Sequence, residues 1–310
     1  MSMRVLFIDA TASLAAVAER LHEAEDPPLE INIDAGAGPV DIPALIAASG
    51  ADTILVDHSF LSTEVARRCP GLKHVVFLGT GARSYMNVEE LAELGISVDI
   101  IKGYGDTAVA ECTLALMMAA ARGIALMDRG MRAGNWLRTG GMELKGKTLG
   151  LIGFGAIAAE VAHVAAFGLG MEVMAWNRTP KALGHVNFVE LDELLAESHV
   201  VSLHLLLTDE TRGFLSAERI ARMRPGALLV NTARGALVDE AAMIAALKSG
   251  QIGHGAFDVF VTEPLPAGHP LTALDNVTLS AHSAFRTPEA ADNLIGTALS
   301  ICRARLIEED

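Results

Sequence analysis

Short apolar runs alternate with stretches of helical period through the first hundred residues. Arg4 to Ile8, Leu29 to Ile33, Thr53 to Val56, His74 to Leu78 and Ile96 to Val98 read as strands. Such alternation predicts parallel βα units, so this part of the chain is expected to build a sheet of its own. Gly103-Tyr104-Gly105 interrupts the pattern, and Asp106 then suits the N-cap of a long helix from Thr107 to about Met131. Its apolar residues leave few polar faces, which predicts a helix that crosses between domains or packs on a second subunit. The alternation resumes with strands at Lys147 to Ile152, Met171 to Trp176, His199 to Leu203, Ala227 to Asn231, Gly255 to Val259 and Val277 to Ser280. Helices such as Ala159 to Phe167 and Glu240 to Lys248 lie between them. The last helix, Pro288 to about Ile307, is long enough to return to the first domain. The expected fold is α/β, two doubly wound parallel-sheet domains, with 1–101 and 284–310 forming a discontinuous domain and 102–283 the other.

Between the first two strands of the second set lies Gly153-Phe154-Gly155-Ala156-Ile157-Ala158. A first glycine permits a tight turn, a second lets backbone approach a pyrophosphate, and a small residue at the last position lets the helix pack on its strand. The helix N-terminus adds free N–H groups and a positive dipole end. The turn is therefore expected to bind a dinucleotide. An acidic residue that would take the ribose 2′-hydroxyl of NAD is due about 20 residues on, at the end of the next strand. The chain has Asn177-Arg178-Thr179 there instead. An amide, a guanidinium and a hydroxyl suit a 2′-phosphate better than a carboxylate would, so NADP(H) is favoured, with NAD(H) as the alternative.

Composition narrows the field. The 310 residues are 51% hydrophobic, enough to bury two cores. A formal charge of −14 with no Lys/Arg cluster argues against nucleic acid. Cys69, Cys112 and Cys302 are scattered without metal-like spacing, as expected of free thiols in a cytoplasmic protein with no metal site. Met1-Ser2-Met3-Arg4 followed by Val5 to Ile8 is too short an apolar run for a signal peptide. Cys112 to Ala121 is about half of a bilayer span, is followed by Arg122, and reads as a buried helix with no membrane role.

Ligands of open parallel sheets bind beyond the carboxyl ends of the strands. Three such ends here carry Thr232-Ala233-Arg234-Gly235, Asp258 leading to Glu263-Pro264, and Ala281-His282-Ser283. Singly, a histidine at a strand end is most often structural, a Glu-Pro a loop corner and an arginine a surface charge. Together beside a nicotinamide they suit carbonyl reduction. Hydride addition builds negative charge on oxygen, and His282 suits the acid that must protonate it. Glu263 would favour the imidazolium, and Arg234 would hold a substrate carboxylate and the carbonyl oxygen.

At these residues the chain resembles the D-isomer-specific 2-hydroxyacid dehydrogenase family, over nearly its whole length. The stretches that carry the likeness are Gly153 to Ala158, Asn231-Thr232-Ala233-Arg234-Gly235, Phe257-Asp258-Val259-Phe260 with Glu263-Pro264, and His282. The resemblance implies two Rossmann-like domains with the active site in the cleft between them, the first binding substrate and the second the dinucleotide. It implies that Arg234 binds substrate, that Glu263 pairs with the acid/base His282, and that Asp258 and Thr232 lie at the cofactor, Asp258 near the nicotinamide amide. It also implies that the backbone of Gly79-Thr80-Gly81 holds the substrate carboxylate, and that a homodimer forms through the helix at 107–131.

Some positions depart from the family pattern. Asn177-Arg178 replaces the acidic selector and resembles NADPH-preferring glyoxylate and hydroxypyruvate reductases. Leu206 stands where a proline is common, and Ala281 replaces the proline often found before the histidine. Asp57-His58 stands where phosphoglycerate-oxidising relatives tend to have arginine, which counts against a phosphorylated substrate. The expected activity is an NADPH-dependent reduction of a small 2-keto acid, glyoxylate- or hydroxypyruvate-like, to the D-2-hydroxy acid. The alternatives are an NAD-dependent D-2-hydroxyacid or D-3-phosphoglycerate dehydrogenase and, from another class, a dinucleotide-sensing binding protein of corepressor type.

Overall fold

A computed structural model describes residues 3–34, 36, 38–179 and 181–309; Met1 and Ser2, part of the amino-terminal reading above, lie outside it. The chain divides into two compact units, Met1–Gly105 with Arg286–Asp310, and Asp106–Phe285.

The first unit holds five strands, β1 (Val5–Ala10), β2 (Leu29–Ile33), β3 (Thr53–Val56), β4 (His74–Phe77) and β5 (Ser97–Ile100). All pair in parallel in the order β2-β1-β3-β4-β5. Successive side chains on a strand point to opposite faces, so one sheet supplies two cores. Leu6, Ile8, Ile54, Val56, Val75 and Phe77 pack on one side with Ile42, Ile46 and Leu61. Val5, Phe7, Leu55 and Val76 pack on the other with Ala15 and Ala18 and with Leu294, Ile295, Ala298, Leu299 and Cys302 of the carboxy-terminal helix Pro288–Glu309. Arg303 of that helix donates to Asp26 at 2.8 Å, and Arg305 donates to Asp99 at 2.7 Å, each within this unit.

The second unit holds β6 (Thr148–Ile152), β7 (Glu172–Trp176), β8 (Asn187–Phe188), β9 (Val200–Leu203), β10 (Ala227–Asn231), β11 (Ile252–Phe257) and β12 (Val277–Leu279). They pair in parallel in the order β12-β11-β10-β9-β6-β7-β8. Leu149, Leu151, Val173, Val200 and Val230 face the helices Asp106–Arg122 and Ala156–His163, while Ile152, Val201, Leu203 and Leu229 face the opposite side.

Several boundaries differ from the sequence pattern. The single helix expected at 107–131 is two, Asp106–Arg122 and Ile124–Arg132, bent by 68° at Gly123. Gly123 sits at φ 59°, a left-handed conformation that glycine takes at little cost and that ends a helix. Apolar periodicity runs through such a break without marking it. Asp106 is the first residue of the helix rather than its cap. The helix after the glycine turn begins at Ala156, inside the expected turn, and ends in a π-helical turn at Val164–Gly168. β11 starts at Ile252, earlier than the Gly255 read from the pattern because its two glycines dilute the apolar signal, and the two-residue β8 had no signal to read. Among the described residues no single helix is long and apolar enough to cross a membrane; most of the apolar side of Asp106–Arg122 is core.

Candidate active site

The glycine turn leaves β6 with Gly153 at φ 89°, its N–H bonded to Trp176 O at 2.8 Å. Gly155 caps the helix, and the first intrahelical bond runs from Ala159 N–H to Gly155 O at 3.1 Å. The N–H groups of Ala156 and Ile157 thus face out of the helix end, where an anion is favoured. A Cβ built on Gly155 meets nothing within 4 Å, so open space lies directly over the turn. These features fit the pyrophosphate of a dinucleotide. Phe154 takes another part: its N–H is bound by Asn177 Oδ1 at 3.2 Å and its ring lies edge-on to Phe188.

At the end of β7 the Asn177 amide is occupied on both sides, since Nδ2 also donates to Thr179 O at 2.7 Å. Asn177 therefore ties the β7 end to the glycine turn, and Arg178 and Thr179 are exposed beyond it. Sequence reasoning stopped at Thr179 and missed Lys181, whose Nζ lies 5.8 Å from the centre of the Phe154 ring. A second cation within four residues of Arg178 was the available signal.

Three strand ends of the same sheet converge. β10 ends in Asn231, whose Oδ1 accepts from Ala233 N–H at 3.0 Å and whose Nδ2 donates to Arg234 O at 2.9 Å. The amide fixes the turn that presents Arg234, an exposed side chain that donates to Ala233 O. Thr232 is buried and bonds Thr113 Oγ1 at 2.7 Å; Thr113 spends its proton on Val109 O, so Thr232 is the donor. A Cβ on Gly235 would come within 2.1 Å of the Phe260 carbonyl carbon, so bare backbone is needed where these two loops meet. That contact sets the loop from Phe260 to Glu263 beside Arg234. Glu263 Oε1 accepts from Phe260 N–H at 2.8 Å, and Oε2 lies 2.6 Å from His282 Nδ1. Both side chains remain about one-third exposed. An ionised carboxylate can only accept, so Nδ1 carries the proton and Nε2 is left facing away from Glu263.

Likeness to known proteins identifies the family. The family model "D-isomer specific 2-hydroxyacid dehydrogenase, NAD binding domain" matches residues 114–284. The chain belongs to the D-isomer-specific 2-hydroxyacid dehydrogenase family. It is 39% identical over 268 residues to a glyoxylate reductase of Aeropyrum pernix, a match spanning 79% of this chain and 78% of that one. The TT0316 protein from Thermus thermophilus superposes with a TM-score of 0.86 at 35% identity, covering 99% of this chain and 97% of that chain. An acyclic imino acid reductase solved in complex with NADPH and D-Arg superposes with a TM-score of 0.83 at 26% identity, covering 99% and 98%. The protein is thus an oxidoreductase of 2-keto and 2-hydroxy acids that uses a nicotinamide dinucleotide.

The structure adds detail at two further sites that the family likeness pointed to. Asp258 is fully buried, and its carboxylate is occupied by its own chain: Oδ1 accepts from Ser280 Oγ at 2.6 Å and Ser283 N–H at 3.0 Å, and Oδ2 from Ala284 N–H at 2.9 Å. In the other unit, Gly79 spends its N–H on Phe77 O at 2.8 Å, which leaves the Thr80 and Gly81 N–H groups without a partner among the described residues. Beyond β3, the buried Asp9 carboxylate accepts the N–H groups of Asp57, His58 and Ser59. Burial, with Asp9 close by, holds the Asp57 carboxyl above the usual carboxylate range despite His58. Burial lowers the His58 imidazole, but hydrogen bonds to Asp34 and Asp57 outweigh it and the net direction is upward. The charge at this strand end is strongly acidic.

Proposed function

We propose that the protein is an NADPH-dependent reductase of small 2-keto acids, glyoxylate and hydroxypyruvate first among them, giving the D-hydroxy acid where a stereocentre forms. The observation that carries this is the 2.6 Å contact between Glu263 and His282 Nδ1. It orients the imidazole and leaves Nε2 as the nitrogen that exchanges a proton with the substrate oxygen. When bound, the reduced nicotinamide supplies the hydride. Arg234 balances the charge that grows on the carbonyl oxygen and holds the neighbouring carboxylate through its planar fork. Glu263 stabilises His282 while it is protonated and keeps its ring from turning.

Arg178 and Lys181 support the NADPH preference. Both are cations at the β7 end, where a carboxylate would serve NADH; the likeness to the A. pernix glyoxylate reductase supports the keto-acid substrate. The acidic surroundings of His58 disfavour a phosphorylated substrate, because Asp9, Asp34 and Asp57 all face that imidazole. We further propose a cytoplasmic homodimer. Its surface is the broken helix and the segment after it, where Met118, Ile124, Met131 and Trp136 are exposed, Trp136 to 75%. A steady-state screen of 2-keto acids with NADPH and NADH in parallel tests the activity. Turnover with glyoxylate and a higher kcat/KM with NADPH is expected. Binding of NADPH without turnover on any 2-keto acid would replace this reading with a sensing role.

A further inference from the structure

The strand order of the second unit sets another strand end against the glycine turn. From β6 the chain runs outward through β7 and β8, then crosses back to β9 and continues through β10, β11 and β12, so the order reverses between β6 and β9. Dinucleotides of doubly wound sheets lie across the crevice at such a reversal. The first residue past β6 is Gly153, and the first past β9 is His204. Their backbones are in close contact: His204 N–H donates to Ile152 O at 2.8 Å, and a Cβ on Gly153 would lie 2.7 Å from the His204 carbonyl oxygen. On the other side Leu203 pairs with Asn231, the residue that shapes the Arg234 turn.

The His204 ring has a defined protonation. Desolvation by the surrounding protein pushes its pKa down to about 4, so at neutral pH the imidazole is uncharged, with one nitrogen a donor and the other an acceptor. Ser202, two residues earlier on the same face of β9, is fully buried, and its Oγ lies 2.9 Å from His204 Nε2. A buried hydroxyl places its single proton on an acceptor. Among the described residues His204 Nε2 is the acceptor that Ser202 Oγ meets. Ser202 therefore donates, Nε2 accepts, and the ring proton sits on Nδ1. His204 itself remains half-buried at the strand end. An apolar side chain would pack there without the desolvation cost; what the imidazole adds is an uncharged N–H of fixed position.

We propose that His204 is a cofactor-binding residue whose Nδ1–H donates to an oxygen of the phosphate–ribose backbone of the bound dinucleotide, across the crevice from the glycine turn. That backbone is common to NADPH and NADH, so His204 governs affinity for both and selects neither. The proposal rests on the reading of the glycine turn as the pyrophosphate site and is independent of which keto acid is reduced.

The test compares His204→Leu, His204→Asn and Ser202→Ala in the full-length protein. Each is titrated calorimetrically with NADPH, with NADH and with adenosine 2′,5′-bisphosphate, which carries the adenosine half without the bridging pyrophosphate. A hydrogen bond to a charged acceptor corresponds to about a tenfold change in affinity. His204→Leu is expected to weaken NADPH and NADH alike by about that factor, with the bisphosphate within about twofold of wild type. His204→Asn, whose amide nitrogen takes the place of Nδ1, should bind both cofactors within about threefold of wild type. Nitrogen-15 NMR of the cofactor-free protein should show the proton on Nδ1 in the wild type and an averaged tautomer in Ser202→Ala, and NADPH should move the Nδ1 signal. A wild-type proton on Nε2, undiminished NADPH affinity in folded His204→Leu, or an equal loss on the bisphosphate would overturn the assignment. Should no 2-keto acid be turned over, the reductase reading fails while these titrations still decide the role of His204.

Discussion

Two glycines of the same turn should fail in different ways when changed to alanine. Gly153 sits at φ 89°, and a Cβ there would lie 2.7 Å from the His204 carbonyl oxygen and 2.8 Å from its carbon. His204 cannot recede, because its own N–H is bonded to Ile152 O at 2.8 Å as β9 runs beside β6. Backbone strain of about 1–3 kcal/mol adds to an overpacking cost of about 1–3 kcal/mol, so Gly153→Ala should lose about 2–6 kcal/mol. For a unit of this size each kcal/mol moves the melting temperature by about 2–4 °C, which gives a fall of roughly 5–20 °C. Gly155 has ordinary dihedrals, φ −99° and ψ −161°, and its added Cβ meets nothing within 4 Å. Gly155→Ala should melt within about 3 °C of wild type, yet its methyl occupies the space over the turn and should weaken NADPH at least about tenfold, or 1.4 kcal/mol. Scanning calorimetry without cofactor and isothermal titration with NADPH separate the two outcomes. A Gly153→Ala protein with wild-type melting, or a Gly155→Ala protein that binds NADPH normally, would refute the reasoning for that glycine.

Other perturbations test the site and the first unit. Arg178→Ala should raise the KM for NADPH about 10-fold, since an exposed charge-assisted bond to phosphate is worth about 1.4 kcal/mol after screening, while NADH changes less than about twofold; equal losses with both cofactors in steady-state assays would remove Arg178 as selector. Glu263→Gln should lower kcat by about 10²-fold, and His282→Ala by about 10²–10⁴-fold, with NADPH binding kept in both; wild-type rates in both would dismiss the pair. Asp26 is raised by burial but pulled lower by its bonds to Arg303 and the Glu23 N–H, so its net pKa lies below 3.8. A depressed carboxyl contributes stability above its unfolded pKa and loses it as pH falls through the folded value. The stability difference between wild type and Asp26→Asn in urea unfolding, about 1–2 kcal/mol at pH 7, should therefore shrink once pH drops below 3.8. A difference that does not change down to strong acid would count against the Arg303 anchor.

Local pattern carried much of the architecture. Parallel βα units, the glycine turn at Gly153 to Ala158 and the family likeness are properties of short windows, where spacing and residue size act directly on the backbone. The last helix read as long enough to return to the first domain, and five of its apolar residues lie in the first unit's core. Other features were not legible in a local window. Periodicity ran straight through Gly123 because only its left-handed φ breaks the helix. Asn177 read as an amide suited to a 2′-phosphate, and the fold also places it against Phe154 N–H, 23 positions away. The donors that the Asp258 carboxylate meets, 22 to 26 residues further on, left no mark in its own window.

The residue types that the proposed chemistry needs, an imidazole, a carboxylate and a guanidinium near strand ends, are thus present in the chain as written. Their distances are not. The 2.6 Å between Glu263 and His282 depends on the register of β11 against β12, on the close passage of Gly235 under Phe260, and on a loop whose N–H groups end on Asp258. Each of these is a long-range packing event among groups that no local rule brings together. Sequence alone determined which groups are available and the sheets that carry them. Tertiary structure alone decided which of them touch, because a hydrogen bond depends on tenths of an ångström and sequence spacing resolves only whole residues.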